Sequence, residues 1–412
     1  MAGKGDRYQF NRTSVKDPVT GVEVVRITDN QALYDRPYFT TPQFSADGRY
    51  TVFVSDFTHT SIVVNPDAPA IGKVGFGELF LLDIEKGEAL QVTQGESIKM
   101  GHGAHAMLTK DGKKAYYYSN EYLKCVDLET LESEELMRVP FTYNFHSLTA
   151  TDDGRYIGFT VVEEVPLITS QFTDPLSGSA PGSRERFFKQ PSSLVIRYDT
   201  ETKKGEVVTG GHDRITHTSF KPDDGDYMVF CHDGPWQLVQ RLWTVRVSTD
   251  EVNPLVSQQK YLERVGHEFT TAKGRIGAQY SYRYKPDMEF FMNADILVDF
   301  DGKNEERFYY PYLRPEHINV NFDETYAVGD RAMLSPDMKD SKKYLALIEY
   351  DRNYHRANTH LLCYHGASGK KHAHTHPVFT PDGKHVMFSS DVDGSLNIYM
   401  VEADLSKTVT SL

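Results

Sequence analysis

A polar turn, usually Asp-Gly, followed by a short run of aromatic and β-branched residues recurs along this chain. The clearest copies read PQFSADGRYTVFVSD and HPVFTPDGKHVMFSSD. Weaker ones are HAMLTKDGKKAYYYSN, HSLTATDDGRYIGFTVV, HTSFKPDDGDYMVFCHD, HEFTTAKGRIGAQYSYR and HINVNFDETYAVGDRA, which makes seven. Most continue into a third strand and another turn, as in LFLLDIEKGEALQVTQG and SLVIRYDTETKKGEVVTGG. The repeating unit is therefore predicted to be a four-stranded antiparallel meander.

An isolated meander exposes a sheet face and an edge, and radial repetition of such sheets covers them. Seven units predict an all-β fold, a seven-bladed β-propeller, as a single domain over residues 1–412. The last copy leaves almost no chain for a fourth strand, whereas DPVTGVEVVRIT near the N-terminus matches the turn and fourth strand of the other units. That segment is expected to complete the last blade and close the ring. One departure, residues 163–192, is too polar and too rich in Pro, Gly and Ser to form a blade. It is either a flap bringing Arg184, Arg186 and Lys189 over one mouth of the channel or a solvated surface loop.

Composition agrees with many short strands: 25 Tyr and 23 Phe stand beside 30 Gly and 19 Pro in 412 residues. A formal charge of −13 gives no electrostatic reason to expect a nucleic acid or an anionic membrane as partner. An acidic ligand must therefore meet a local cluster of positive charge. No stretch has the length or apolarity of a membrane span, and the start lacks the apolar core of a secretory signal, so a soluble cytoplasmic protein is expected. Cys125, Cys231 and Cys363 are odd in number and far apart, which predicts reduced core thiols and no thiolate metal site. The oligomeric state is not set by any of these features.

Alignment of the copies on their turns places a histidine six to eight residues before the turn in six of them: His105, His146, His217, His267, His317 and His376. This position begins the innermost strand, so the imidazoles are expected to face the axis at one mouth. In the seventh copy His374 and His376 stand two apart and face the same side, with His372 two residues earlier. Imidazole is the commonest protein metal ligand, and three without thiolate suit manganese, iron, nickel or zinc. A site without a full protein shell is more often catalytic than structural. The alternative is a cluster of histidines that only satisfy backbone groups.

With these features in place, the chain resembles the oligogalacturonate lyases over nearly its whole length. The resemblance rests on DPVTGVEVVRIT, FCHDGPWQLVQRLW, GHEF, HINVNFD and HTHPVFTPDGKHVMFSSDVDG, in that order. It implies β-elimination on an acidic oligosaccharide, oligogalacturonate first, to give a 4,5-unsaturated uronate with the help of a divalent metal, manganese in the family. It further implies His317, His374 and His376 as metal ligands, His267 as catalytic base and Arg241 as an arginine that neutralises carboxylate charge. Arg36, His217, His232 and Trp236 are the substrate-contacting residues expected beside them.

One departure changes the expected metal shell. The family has Gln three residues before the first histidine of the pair, and here Lys371 stands there. An ammonium repels a divalent cation, so either His372 or water fills that place, or Lys371 binds a substrate anion and marks a different uronate. Arg241 as a structural ion pair and Trp236 as a core aromatic remain open readings. Fold alone does not imply function, and a non-catalytic ligand-binding propeller is the rival class.

Overall fold

The computed structural model describes residues 3–57, 75–167, 183–235, 238–260, 262–283, 292–369 and 373–411. Its contacts group the chain into two compact units, Met1–Arg138 with Arg314–Tyr350 and Asn358–Leu412, and Val139–Leu313 with Asp351–Ala357. The fold class is all-β, and the sheets are the meanders that the repeats predict.

In the first unit, the first repeat forms a sheet through Tyr34–Asp35, Tyr50–Ser55, Phe76–Asp83 and Glu88–Gln91, with Arg7–Gln9 added outside Glu88–Gln91. The second runs through Ala106–Leu108, Lys114–Ser119, Tyr122–Asp127 and Ser133–Arg138. The sixth repeat begins at Ile318–Val320, and the seventh pairs Val378–Phe379, His385–Ser390 and Asn397–Glu402. Its fourth strand comes from the N-terminal segment, where Glu23–Arg26 pairs antiparallel with Asn397–Glu402 in the register Val24↔Val401, Val25↔Met400 and Arg26↔Tyr399. The second unit holds the third, fourth and fifth meanders, which start at Tyr143–Ala150, Ile215–Lys221 and Glu263–Thr270.

Each meander buries alternate residues against the next sheet of its unit. Val52 and Val54 of the first pack with Ala106, Leu108, Ala115 and Tyr117 of the second, all fully buried. In the second unit Val229 and Leu242 of the fourth meander meet Ile276, Ala278 and Ile296 of the fifth in the same way. Burial of such side chains stabilises each by roughly 1.5–3 kcal/mol, and a slip of one residue would turn the whole set to the opposite face of its sheet.

The polar turn has one geometry in four repeats. A Ser or Thr hydroxyl donates to the carboxylate of the Asp two residues on: Ser45 to Asp47 at 2.5 Å, and Thr109 to Asp111, Thr151 to Asp153 and Thr380 to Asp382 at 2.6 Å. The same carboxylate accepts the backbone N–H of Arg49, Lys113, Arg155 or Lys384. The Gly after each Asp has φ between 70° and 72°, a left-handed conformation that disfavours any Cβ. The motif is thus Ser/Thr-x-Asp-Gly, in which the carboxylate ties the turn and the glycine reverses it.

A Cβ added at Gly383 would meet nothing within 4 Å, so backbone conformation is the only penalty there. Gly383→Ala is expected to lower unfolding stability by about 1–2 kcal/mol. Urea denaturation of the two proteins checks this, and an unchanged midpoint would remove the turn's conformational requirement.

The insertion lies between the second and third strands of the third meander, Tyr156–Glu163 and Ser193–Asp199. Its described part ends in a short helix, Ser183–Lys189, with Lys189 paired to Glu185 at 3.0 Å. Among the described residues no helix is long and apolar enough to cross a membrane. Cys125, Cys231 and Cys363 are buried and unbridged.

Candidate functional site

Three of the aligned histidines sit at breaks in strand pairing. The register shifts between His146 and Leu148, between Ile215 and Thr218, and between Gly266 and Phe269. A bulge inserts an unpaired residue and re-aims a side chain, and such bulges favour active sites. His267 and His376 also carry φ of 51° and 40°, as does His102 at 62°. Left-handed backbone at a non-glycine residue stores strain, which clusters at functional sites.

In the first unit, His102, His374 and His376 place their ligand nitrogens within 4.8 Å of one another. The His102 and His374 ring centroids are 4.4 Å apart, and those of His374 and His376 are 5.4 Å apart. His317 stands beside them, 4.6 Å from His376 and 5.8 Å from His374 between centroids. Its Nδ1 donates to Asp330 Oδ2 at 2.7 Å, so the neutral ring carries its lone pair on Nε2. Burial opposes ionisation of Asp330, but its pairing with His317 and two backbone N–H donors outweigh that and hold its carboxyl well below the usual carboxylate range.

His376 is buried, and its Nε2 has no hydrogen-bond partner among the described residues. Burial, then the charges His317, His102 and His374 would carry, pushes it well below the ordinary imidazole value, so it is neutral at pH 7. A neutral, buried imidazole with an unsatisfied nitrogen aimed among other imidazoles is costly unless a cation accepts its lone pair. The donor set of imidazoles without thiolate fits a divalent first-row metal.

Arg36 serves this cluster from below. Its guanidinium is buried, donating to the His376 carbonyl at 2.8 Å, Gln43 Oε1 at 3.0 Å and Ser389 Oγ at 3.2 Å. It fixes the strained backbone of His376, in place of the sugar contact expected for it. His105, the aligned histidine of the second repeat, is not in the set of converging ligand atoms, whereas His102, three residues earlier, is. Lys371, His372 and Trp236 lie outside the described residues.

The second unit gathers a different constellation. Glu268 is buried and accepts from Arg241 Nε at 3.0 Å and from His217 Nδ1 at 3.0 Å. Burial opposes its charge, yet Arg241 and then His217 hold its carboxyl well below the ordinary range. Arg241 also donates to Asp233 at 3.0 Å, and Arg214 pairs with the same carboxylate. Burial, then the charge of Arg186, lowers Arg214 to about 10. Arg186, Arg214 and Arg241 thus stand near one another, with Glu268, Asp233, Glu185 and Glu164 as their counter-charges, on a chain whose overall charge is negative.

His267, next to Glu268, has Nδ1 2.9 Å from Gln279 Oε1. An amide oxygen can only accept, so Nδ1 carries the proton and Nε2 the lone pair of the neutral ring. His232 rests against Trp243, with centroids 5.2 Å apart, and its Nδ1 is 3.7 Å from Asp213. Sequence reasoning missed His102, Arg214, Glu268 and Asp330. Only His102 left a signal, a histidine between two glycines in GHGAH.

Strand-start imidazoles held by bulges and left-handed backbone, with a separate arginine cluster, define a class of all-β protein equipped for a divalent cation and an acidic ligand. The family model described as oligogalacturonate lyase matches residues 1–407, and the chain belongs to that family. An oligogalacturonate lyase of Dickeya dadantii is 28% identical over 97% of this chain and 98% of its own length. The solved oligogalacturonate lyase of Vibrio parahaemolyticus shares the fold with a TM-score of 0.79 at 24% identity, over 98% of this chain and all of its own. A structure of an oligogalacturonate lyase in complex with manganese matches equally well, with a TM-score of 0.79 at 23% identity, over 98% of this chain and 100% of its own.

Proposed function

We propose that this chain is a metal-dependent carbon–oxygen lyase that cleaves uronate-containing oligosaccharides, oligogalacturonate first, by β-elimination. The observation that carries the reading is the imidazole cluster, with its buried and unsatisfied His376 nitrogen. Family membership and the manganese complex of a relative support it. His317, His374 and His376 are the proposed ligands of a divalent metal, manganese foremost. When bound, such a cation supplies Lewis-acid stabilisation of charge developing on a uronate carboxylate.

The protein's own residues do the rest. The proton at C5 of a uronic acid is too weakly acidic to leave unaided, and a neutral imidazole has a suitable pKa to accept it near pH 7. His267 is the proposed base, acting through Nε2, with Gln279 holding the tautomer. The C5–H electron pair becomes the C4=C5 double bond, and the C4–O4 bond breaks with its electrons staying on the departing oxygen. Arg241 and Arg214, oriented by Glu268 and Asp233, are the proposed guanidiniums for a substrate carboxylate. The cytoplasm is the proposed location, where the three buried thiols remain reduced.

Purified protein with manganese is expected to raise the ultraviolet absorbance of conjugated unsaturated uronates when given oligogalacturonate. Chelation should abolish the signal and added manganese restore it. Absence of a rise on every uronate oligosaccharide tried, with metal bound, would sink the lyase reading in favour of a binding protein.

A further inference from the structure

The loop Gly101-His102-Gly103 is left-handed throughout, with φ of 100°, 62° and 102°. It is clamped in that shape. The Gly101 N–H donates to Asp35 Oδ2 at 2.6 Å, and the Ala104 N–H donates to the Arg36 carbonyl at 2.8 Å. Gly103 lies so close to Tyr38 that a Cβ there would come within 2.8 Å of its backbone. The glycines take their unusual dihedrals at no steric cost, whereas His102 does not. A residue strained by its own backbone and held by three neighbours is one whose side chain is being placed.

The ring is placed against His374 and His376, with centroids 4.4 and 5.4 Å away. These three residues share the set of ligand atoms mutually within 4.8 Å, and His317 is not a member of it. Three imidazoles converging this closely can present nitrogen lone pairs to a single cation. The segment that clamps His102 also fixes His376, since Arg36 hydrogen-bonds the carbonyls of both Thr375 and His376. One short stretch, Asp35 to Tyr38, thereby sets the two outer members of the set together.

We propose that His102 is a direct ligand of the divalent cation, contributed by the second meander to the histidine pair of the seventh. This assignment rests on the metal-dependent reading above and extends it to a residue that the aligned histidine register does not predict. The exposed ring closes the set from the solvent side, opposite the buried His376.

The test uses the full chain, freed of metal by chelation, and Mn²⁺ titration followed by electron paramagnetic resonance. His102→Gly keeps the left-handed backbone and removes the imidazole, so folding is retained. Mn²⁺ affinity is expected to fall by about 100-fold, at or above the range for loss of a residue that merely orients a ligand. In a second arm His102→Cys is loaded with Co²⁺. A thiolate-to-cobalt charge-transfer band, absent from the parent protein, is expected, and a residue that only packs beside the site cannot produce it. Parent-like Mn²⁺ affinity in His102→Gly with no such band in His102→Cys, while His376→Asn loses Mn²⁺, would overturn the assignment and leave the metal centre standing. No Mn²⁺ binding by the parent chain would overturn both.

Discussion

His376→Asn is expected to bind Mn²⁺ at least about 100-fold more weakly than the parent chain, and to lose about a thousandfold in elimination rate. Asparagine is the informative replacement because the backbone at this position has φ of 40°, and Asn tolerates the left-handed region better than Ala. The variant therefore separates loss of the imidazole from loss of the backbone geometry. Among the described residues no hydrogen bond is made by Nε2. Thermal unfolding in the presence of a chelator should consequently match the parent within about 1 kcal/mol, the size of one hydrogen bond. Titration calorimetry with Mn²⁺ and the ultraviolet assay read the two effects. Retained affinity would make His376 a packing residue whose unsatisfied nitrogen has some other cause.

The second large effect is expected at His267, with the opposite division between binding and rate. His267→Asn should lower kcat by about 10²–10⁴-fold, the usual contribution of a positioned general base, with Mn²⁺ affinity unchanged. Its φ of 51° again makes Asn the compatible substitution. Gln279→Leu should move the same rate in the same direction by less, because it removes only the acceptor that holds the proton on Nδ1. Metal loss in His267→Asn would reassign the residue as a ligand, and an undiminished rate would assign the proton transfer to another group.

Much of this protein was readable residue by residue because its determinants are local. The Ser/Thr-x-Asp-Gly turn forms within four residues, through a hydroxyl, a carboxylate and a glycine that are neighbours in sequence. Strand identity follows from alternation of aromatic and β-branched residues with polar ones. Four such turns and three looser polar ones therefore announced the meanders, and the spare N-terminal strand announced its own place beside Asn397–Glu402. The register of His267, His317 and His376 was legible for the same reason, since each stands at a fixed distance from a turn.

The members of the site that escaped detection depend on contacts between distant segments. Glu268 adjoins a histidine in sequence, but its role arises only because Arg241 and His217 from the preceding meander converge on it. Arg36 looked like a free cation for a sugar and is instead consumed by carbonyls of the seventh repeat. In the second repeat the register pointed to His105, whereas a left-handed turn between two glycines brings His102 to His374 and His376. Repetition in sequence determined the all-β class, the meanders and the positions where strands begin. The tertiary structure decided which imidazoles share one point in space, because bulges, positive φ and the Arg36 and Asp35 clamps redirect side chains by contacts that no local pattern encodes.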